Sequence, residues 1–270
     1  MPDGMTLDYP RLGGEGTDLD TPNVRRRFAR DPRVSVIVPT LNEAANLPHV
    51  FRELPEGLHE VILVDGFSKD DTIAVAKRLR PDVRIVLQER RGKGNALACG
   101  FAAATGDIIV MLDADGSADP GEIEAYVDAL VHGADFAKGS RYLSGGGSTD
   151  ITGLRSLGNR ALGSTVNLLF GTRYTDLCYG YNAFRTSCLE AIAVDCDGFE
   201  VETLINVRAA KAGLDVVEVP SFEFDRLHGE SNLNTFRDGF RVLRTIMRER
   251  VRRASRVAIE TPFEPAPALA

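Results

Sequence analysis

Residues 106–120 read GDIIVMLDADGSADP, and this stretch decides the fold. Its apolar run, Ile108–Leu112, is continuous rather than alternating, which is typical of a β-strand buried on both faces. Asp113 and Asp115 follow the run directly. The pair Asp119-Pro120 then provides an N-cap and a first helical residue. The stretch therefore predicts a buried strand that ends in an acidic turn and leads into a helix.

The same alternation of strand and helix continues on both sides of this stretch. The other predicted strands are Val34–Val38, Val61–Val64, a weaker Val83–Leu87 and Val216–Val219. The predicted helices cover about residues 43–53, 70–80, 94–104, 120–131, 153–169 and 200–212, with Ser68–Asp71 as a capping box for the second. We therefore expect an α/β protein with a mostly parallel central sheet flanked by helices, which binds ligands at the carboxyl ends of its strands.

The composition is that of a globular protein without disulfides. The chain has 270 residues, 43% of them hydrophobic, which is enough for one large domain. A net charge of −7 argues against broad binding to nucleic acid. The four cysteines lack zinc or disulfide spacing, no signal peptide or membrane-spanning run is visible, and a cytoplasmic protein is expected. Residues 1–30 and 256–270 lack apolar periodicity and are expected to be disordered.

Asp113 and Asp115 are the candidate metal ligands. In an extended segment, residues two apart project to the same side, so both carboxylates can meet one cation. Hard oxygen ligands suit Mn²⁺ or Mg²⁺, and the oxygens of a diphosphate would complete the coordination shell. The alternative is a pair of solvated turn aspartates ahead of the next helix. Their position after a buried strand favours the metal site.

Three other polar residues follow predicted strands or open predicted helices. Asp65 ends a strand, where it can accept hydrogen bonds from a ribose or a base N–H, or simply form a turn with Gly66. Glu43 can contact a nucleotide or favour a helix N-terminus. Lys93 lies in RGKGNA, which matches neither a Walker A loop nor a dinucleotide fingerprint. It is expected near a phosphate or base, the alternative being a solvated lysine in a tight turn.

Five segments in order carry a family resemblance: VSVIVPTLNEAANL, EVILVDGFSKDDT, RGKGNALACGF, GDIIVMLDADGSADP and KGSRYLSGG. Over about residues 33–235 the chain resembles the family-two inverting glycosyltransferases of the GT-A fold, in particular the polyprenol- and dolichol-phosphate mannose or glucose synthases. The resemblance implies one Rossmann-like GT-A domain over residues 31–255, with a nucleotide-sugar half at about 31–140 and an acceptor half at about 141–255. It also implies transfer of a hexose from a GDP-mannose or UDP-glucose type of donor to polyprenyl phosphate at the cytoplasmic membrane face.

The resemblance implies roles for residues at matching positions. The nucleotide sugar and its metal are expected at Pro39, Asn42, Glu43, Asp65, Asp113-Ala114-Asp115 and Arg141. The acceptor and phosphates are expected beside Arg155, Asp176, Arg226, His228 and Ser231. The chain departs from the family pattern at Gly66, where a carboxylate is lost, and at Asn232, where a lysine is lost. Both departures bear on the donor and acceptor, and Arg226 and His228 are the candidates to replace the missing cation.

Glu200 and Glu202 are candidate catalytic bases at the start of a predicted helix. Because they are two residues apart, they do not share one helical face, so if one is catalytic the other caps or binds. A polyprenyl phosphate is already ionised and needs no base, whereas a hydroxyl acceptor needs one. Both residues could instead stabilise the helix N-terminus through their charge. We favour Glu200 as the base.

A basic helix near the C-terminus carries Phe236, Phe240, Leu243 and Met247 at helical spacing. This apolar stripe could lie on an anionic membrane surface, as peripheral contact with a lipid-linked acceptor would require. Such a stripe more often packs on its own domain, and packing is the prediction. The sequence leaves the oligomeric state open, a homodimer included.

Three other functions remain open from the sequence. One is a soluble glycosyltransferase that uses a small-molecule or glycan hydroxyl as acceptor. Another is a sugar nucleotidyltransferase, which needs a Gly-rich basic loop after the first strand, where this chain has Pro39–Glu43 instead. The third is a non-catalytic module that binds nucleotide sugars.

Overall fold

A seven-stranded β-sheet forms the centre of the protein. The computed structural model describes residues 31–229 and 234–252, so the expectations for residues 1–30, 256–270 and Ser231 fall outside the described residues. The strands of the described chain are β1 (Val34–Thr40), β2 (Glu60–Asp65), β3 (Arg84–Leu87), β4 (Ile108–Met111), β5 (Phe136–Ser140), β6 (Gly147–Ser148), β7 (Asn182–Arg185), β8 (Val216–Pro220) and β9 (Phe222–Glu223). Strands β6 and β9 form a separate two-stranded sheet.

Helices connect these strands and cover the sheet. They are α1 (Leu47–Arg52), α2 (Thr72–Leu79), α3 (Lys93–Ala103), α4 (Ile123–Val131), α5 (Gly153–Phe170), α6 (Leu189–Ile192), α7 (Val201–Ala212) and α8 (Thr235–Val251). Short 3₁₀ turns at Pro120–Glu122 and Thr186–Cys188 lead into α4 and α6. The predicted helices are confirmed with small shifts at their ends. The largest shift is at α1, which begins at Leu47 rather than near residue 43.

The main sheet is parallel except for one strand. Its order is β3-β2-β1-β4-β7-β5-β8. Strand β7 runs antiparallel to both β4 and β5, and the other neighbouring pairs are parallel. The predicted α/β class with a mostly parallel sheet is therefore confirmed. Because two antiparallel pairings restore the direction, β5 points the same way as β4, and both end at the same edge of the sheet.

Two strands of this sheet are absent from the sequence prediction. In β5 the apolar run is interrupted by Lys138, which is nevertheless buried. Strand β7 is only four residues long and begins with the buried Asn182. Neither has the continuous apolar run that marks a strand covered on both faces. Their burial depends on contacts with distant parts of the chain.

Apolar side chains fill both faces of the sheet. On one face lie α1 and α2 together with α4, which packs over β5, β7 and β8, and Leu47, Val75 and Tyr126 are in this core. On the other face α3 and α7 pack over the same sheet, with Leu97 and Leu204 in the contact. Helices on both faces leave the strand ends as the exposed part of the sheet, which is where ligands bind in such folds.

One predicted helix cap is confirmed and the other is wrong. The Asp119 carboxylate accepts a hydrogen bond from the Gly121 N–H at 2.8 Å, and Pro120 opens the turn. The capping box at Ser68–Asp71 does not form. The Ser68 hydroxyl instead accepts the Asn42 N–H, and Asp70 accepts the Thr72 N–H. Ser68 therefore joins two loops at the sheet edge rather than capping α2.

The predicted packing of the apolar stripe on α8 is wrong. Phe236 is 79% exposed and Phe240 is 70% exposed. Leu243 and Met247 are exposed as well. The helix turns another face to the domain, whose residues are Asp238, Val242, Thr245, Ile246 and Glu249. Within residues 31–229 and 234–252, no helix is both long enough and apolar enough to cross a bilayer.

Candidate active site

A cavity of about 690 Å³ opens at the carboxyl edge of the main sheet. This volume is in the range of pockets that bind small molecules. Most of the residues predicted from the sequence line it, namely Pro39, Glu43, Lys93, Asp113, Ala114, Asp115, Arg141, Arg155, Glu202 and Arg226. They come from the ends of β1, β4 and β5 and from α3, α5, α7 and the segment after β9. The cavity thus joins the predicted nucleotide-sugar half to the predicted acceptor half.

Lys93 is a largely buried cation that lines the cavity. Its ammonium lies 2.8 Å from Asp113 and 2.8 Å from Glu202. Burial alone would lower the pKa of Lys93, but the two carboxylates outweigh it and raise the pKa above its ordinary value. Burial also raises the pKa of Glu202, an effect that Lys93 opposes. Lys93 is therefore held as a cation between two acids. The alternative interpretation, a solvated lysine in a tight turn, is wrong.

Gly180 makes room for this group. A Cβ atom at position 180 would lie 2.9 Å from the Lys93 Nζ and 3.3 Å from an Asp113 carboxylate oxygen. Both distances are shorter than ordinary van der Waals contacts. A side chain at this position would therefore push Lys93 or Asp113 aside.

Arg226 ties Asp115 to Glu43 in the cavity lining. Its guanidinium lies 2.8 Å from Asp115 and 3.1 Å from Glu43. The other Asp115 oxygen accepts hydrogen bonds from the Ser117 N–H at 3.0 Å and the Ser117 hydroxyl at 2.7 Å. Burial raises the pKa of Glu43, against the effects of Asn46 and Arg226. Arg226 follows β9 in the chain, so it joins the segment between β9 and α8 to the loops that follow β1 and β4.

Arg141 is a fixed cation in the cavity wall. It makes a bidentate pair with Asp176, at 2.7 and 3.0 Å, and a further bond to Glu223 at 2.8 Å. Its guanidinium also lies 4.8 Å from the ring centre of Tyr179. Burial alone would raise the pKa of Asp176, but the pairing with Arg141 outweighs burial and lowers this pKa. The guanidinium is thus oriented before any ligand binds.

Five predicted residues do not line the cavity. Asp176 lies beneath Arg141 and is fully buried. Glu200 accepts a long bond from the Gly198 N–H at 3.4 Å, and its other oxygen is buried without a hydrogen-bond partner among the described residues. Asn42 is exposed and, with φ of 58°, adopts the left-handed conformation. His228 is exposed, and its carbonyl accepts a bond from Asn46.

Asp65, the fifth of these residues, is buried just behind the cavity wall. One of its oxygens accepts the Ser68 N–H at 3.0 Å. The other oxygen is buried with no hydrogen-bond partner in the described part of the chain. Gly66 and Gln88, its neighbours in the chain and in the adjoining strand end, line the cavity. Asp65 therefore has an acceptor to offer to a group bound in front of it.

Several residues of the cavity were missed from the sequence. Glu223 and Asp225 follow β8, and their position after an apolar strand is a signal of the same kind that singled out Asp65. Tyr179 precedes β7, a strand that the sequence does not predict. Cys178 also lines the cavity, and burial raises the pKa of its thiol to about 12. It is therefore a neutral thiol at neutral pH.

The acidic pair in the cavity lining suits a hard cation. Asp113 and Asp115 offer carboxylate oxygens, which Mn²⁺ and Mg²⁺ prefer. Over residues 31–229 and 234–252, no group of three or more His, Cys, Asp or Glu side chains is arranged to hold a metal. A cation on the two aspartates would therefore take further oxygens from a ligand, and a diphosphate in the cavity would provide them.

Known proteins match both the sequence and the fold. The glycosyl transferase family 2 model matches residues 35–193. A polyprenol monophosphomannose synthase of Mycolicibacterium smegmatis is 34% identical over 85% of this chain and 89% of its own. A dolichol-phosphate mannosyltransferase of Pyrococcus furiosus is 32% identical over 74% of this chain and 59% of its own.

A solved structure shows the same fold with ligands bound. It is glucosyl-3-phosphoglycerate synthase of Mycobacterium tuberculosis in complex with Mn²⁺, UDP-glucose and phosphoglyceric acid. It superposes with a TM-score of 0.66 and is 25% identical, over 81% of this chain and 80% of that one. The α/β fold with its mostly parallel sheet is thus that of a GT-A glycosyltransferase. The chain belongs to glycosyl transferase family 2, and it is a glycosyltransferase.

Proposed function

We propose that this glycosyltransferase moves a hexose, with inversion, from a nucleoside-diphosphate sugar of the GDP-mannose or UDP-glucose type to a polyprenyl phosphate at the cytoplasmic face of a membrane. One observation carries the proposal. A single cavity joins the acidic pair Asp113 and Asp115 to the arginines Arg141 and Arg155. A metal-bound diphosphate suits the first group and a second phosphate suits the other. The substrate named for the mycolicibacterial relative supports the choice of acceptor.

The donor nucleoside is assigned to the side of the cavity formed by β1 and β2. The unpartnered Asp65 oxygen would accept a hydrogen bond from a ribose hydroxyl or a base N–H. Pro39 and Glu43 line the cavity on the same side. Asn42 binds the loop after β2 through its N–H and its side-chain oxygen, so it shapes this wall rather than contacting the ligand.

Asp113 and Asp115 would hold Mn²⁺ or Mg²⁺ together with the donor diphosphate. The metal would act as a Lewis acid that offsets the negative charge of the leaving diphosphate. Lys93 contacts Asp113 and Arg226 contacts Asp115, so each carboxylate has a positive charge beside it. The Glu202 carboxylate pairs with the Lys93 ammonium, so this buried ammonium has a second partner besides Asp113.

The acceptor phosphate is assigned to Arg155 and to Arg141, which the family resemblance instead places beside the donor sugar. Arg141 is already oriented by Asp176 and Glu223, and Arg155 is held 2.9 Å from Asp150. Cations fixed before binding stabilise an anion without the cost of ordering them. Because a phosphate monoester oxygen is already ionised, it can attack the anomeric carbon without a general base. Glu202 would then act by positioning Lys93.

The test is transfer of labelled sugar from a panel of nucleotide sugars, with Mn²⁺ present or chelated, to a short polyprenyl phosphate. Label should move into the lipid fraction with one donor and only with metal. Asp115→Ala should reduce this turnover about 1000-fold, because it removes a metal ligand worth several kcal/mol in the transition state. The exposed Asp82→Ala is the matched control and should retain full activity.

Two outcomes would contradict the proposal. If Asp115→Ala keeps its activity at saturating Mn²⁺, the metal site lies elsewhere. If the donor is hydrolysed slowly whether or not the lipid is present, the acceptor is a hydroxyl compound rather than a polyprenyl phosphate.

A further inference from the structure

Helix α8 turns an apolar face away from the protein. Phe236, Phe240, Leu243, Met247 and Val251 lie at helical spacing along one side, and all five are exposed. We call these residues the α8 stripe. A contiguous apolar surface of this kind on a single chain usually marks a contact with another phase or another molecule.

Polar contacts fix this orientation of the helix. The buried carboxylate of Glu249 accepts bonds from Arg208 at 2.9 Å and from Lys211 at 3.0 Å, both on α7. Asp238, also buried, accepts the Asn234 N–H at 2.7 Å. Turning the helix to bury the stripe would break these bonds, take one of two carboxylate partners from Arg208 and take the Glu249 carboxylate from Lys211. The exposure of the stripe is therefore built into the fold.

The helix is basic on an otherwise acidic chain. It carries five arginines, at positions 237, 241, 244, 248 and 250, against Asp238 and Glu249. The whole chain has a net charge of −7. An exposed apolar stripe beside a row of arginines is the pattern of a helix that lies in the interface of an anionic bilayer. A second copy fits the same surface poorly, because a two-fold contact through α8 would bring arginine rows together.

The stripe is continuous with the mouth of the cavity. Thr235, Asp238, Gly239 and Val242 of α8 line the cavity, one turn or less from Phe236 and Phe240. Helix α5 packs against α8. It contributes Arg155 to the cavity wall and exposes two leucines of its first turns, Leu154 and Leu157. Both helices therefore present apolar side chains next to residues that line the site.

We propose that the α8 stripe, with Leu154 and Leu157, inserts into the interface of a bilayer that contains anionic lipids. The arginines of α8 then contact the lipid headgroups, and the cavity opens at the membrane surface. This inference deepens the proposed function and rests on it in one respect, because an acceptor with a polyprenyl chain would enter from that surface. The surface itself is argued from the exposed side chains of α8 and α5, whatever the acceptor is.

The test is co-sedimentation of the full chain with vesicles of phosphatidylcholine, with and without phosphatidylglycerol. The protein should sediment with the anionic vesicles and more weakly with the neutral ones. The double variant Phe236→Ser/Phe240→Ser should bind the anionic vesicles about 100-fold more weakly, since two phenylalanines no longer leave water. The control Leu79→Ser/Leu87→Ser changes two exposed leucines outside α5 and α8 and should bind as the wild type does.

The outcomes separate this inference from the proposed function. The double variant should transfer sugar to a short, water-soluble acceptor at the wild-type rate and lose activity only on acceptor in vesicles. If the protein binds vesicles but transfers sugar to no polyprenyl phosphate, the proposed membrane-binding surface is supported and the proposed acceptor is wrong. Wild-type protein that transfers sugar in solution but stays in the supernatant with both vesicles would overturn the inference. So would light scattering that shows a dimer which the double variant dissociates, with no vesicle binding.

Discussion

Glu200 and Glu202 lie two residues apart at the start of α7, and their surroundings differ completely. Glu202 is buried at the cavity, 2.8 Å from Lys93. Glu200 lies outside the cavity lining and contacts its own loop at the Gly198 N–H. The half-turn between them directs one side chain to the site and the other away. The placement favours Glu202 over Glu200 as the functional acid, which reverses the preference drawn from the sequence.

This difference leads to a prediction at the residue scale. Glu202→Gln should lower kcat about 100-fold, because Lys93 loses a charged partner and shifts relative to Asp113. Glu200→Gln should change kcat by no more than a few-fold. The measurement is steady-state turnover of both variants across a range of donor and Mn²⁺ concentrations. A large loss in Glu200→Gln with little change in Glu202→Gln would restore Glu200 as the base.

Part of the cavity could be predicted residue by residue, for a physical reason. Asp113 and Asp115 follow a predicted parallel strand, and such positions meet at one edge of the sheet. Arg141 follows β5, which the sequence does not predict, so only the family resemblance implied its place in the site. Lys93 opens a helix at the same edge. Tyr179 and Glu223 could not be found in this way. Their place in the cavity depends on β7 and β9, which are too short and too polar to be recognised from their own sequence.

At the scale of elements, α8 shows how polar contacts can override an apolar pattern. The stripe predicts packing, yet the buried face of the helix is the one that carries Glu249. Arg208 and Lys211 supply two cations that face this carboxylate from α7. Periodicity identifies which residues share a face, but it does not say which neighbour offers a partner. For this reason the orientation of α8 could not be predicted from the sequence.

Removing the Glu249 carboxylate should loosen α8. Burial alone would raise the pKa of Glu249, but Arg208 and Lys211 outweigh burial and lower this pKa below its usual range. Because the folded-state pKa lies below the unfolded value of about 4.3, the pairing stabilises the fold at neutral pH, and this is lost as the pH falls through the folded value. Glu249→Gln should lower the free energy of unfolding by about 2 kcal/mol at neutral pH. The difference from wild type should shrink below about pH 4.

Urea unfolding at several pH values is the measurement for this variant. The exposed Glu190→Gln on α6 removes the same charge without a buried partner and should leave the stability unchanged. A Glu249→Gln difference that stays constant from neutral pH into acid would show that the ion pairs do not carry it.

For the whole molecule, the cavity couples ligand binding to stability. Its walls come from β1, β4 and β5 and from α3, α5, α7 and α8, so a bound diphosphate would contact distant parts of the chain. A ligand at 100 times its Kd adds about 2.7 kcal/mol to the folded state. We expect UDP or GDP with Mn²⁺ to raise Tm by about 5–10 °C. The measurement is a thermal melt with each nucleotide, with and without metal.

The comparison variant for these melts is Asp113→Asn. It should lose the part of the Tm shift that depends on Mn²⁺ and keep the part that depends on the nucleotide alone. If neither nucleotide raises the wild-type Tm in the presence of metal, the cavity is not the donor site.

Strand β7 has a consequence for how the chain can be made. In the described part of the chain, the block β3-β2-β1-β4 meets the block β5-β8 only through this strand. Residues 182–185 pair with residues 108–111 on one side and 136–138 on the other. A chain still growing on the ribosome therefore carries an open edge on β4 until residue 185 has emerged. A fragment cut near residue 140 would keep that edge and tend to aggregate, so the donor-binding part would not survive as a separate piece.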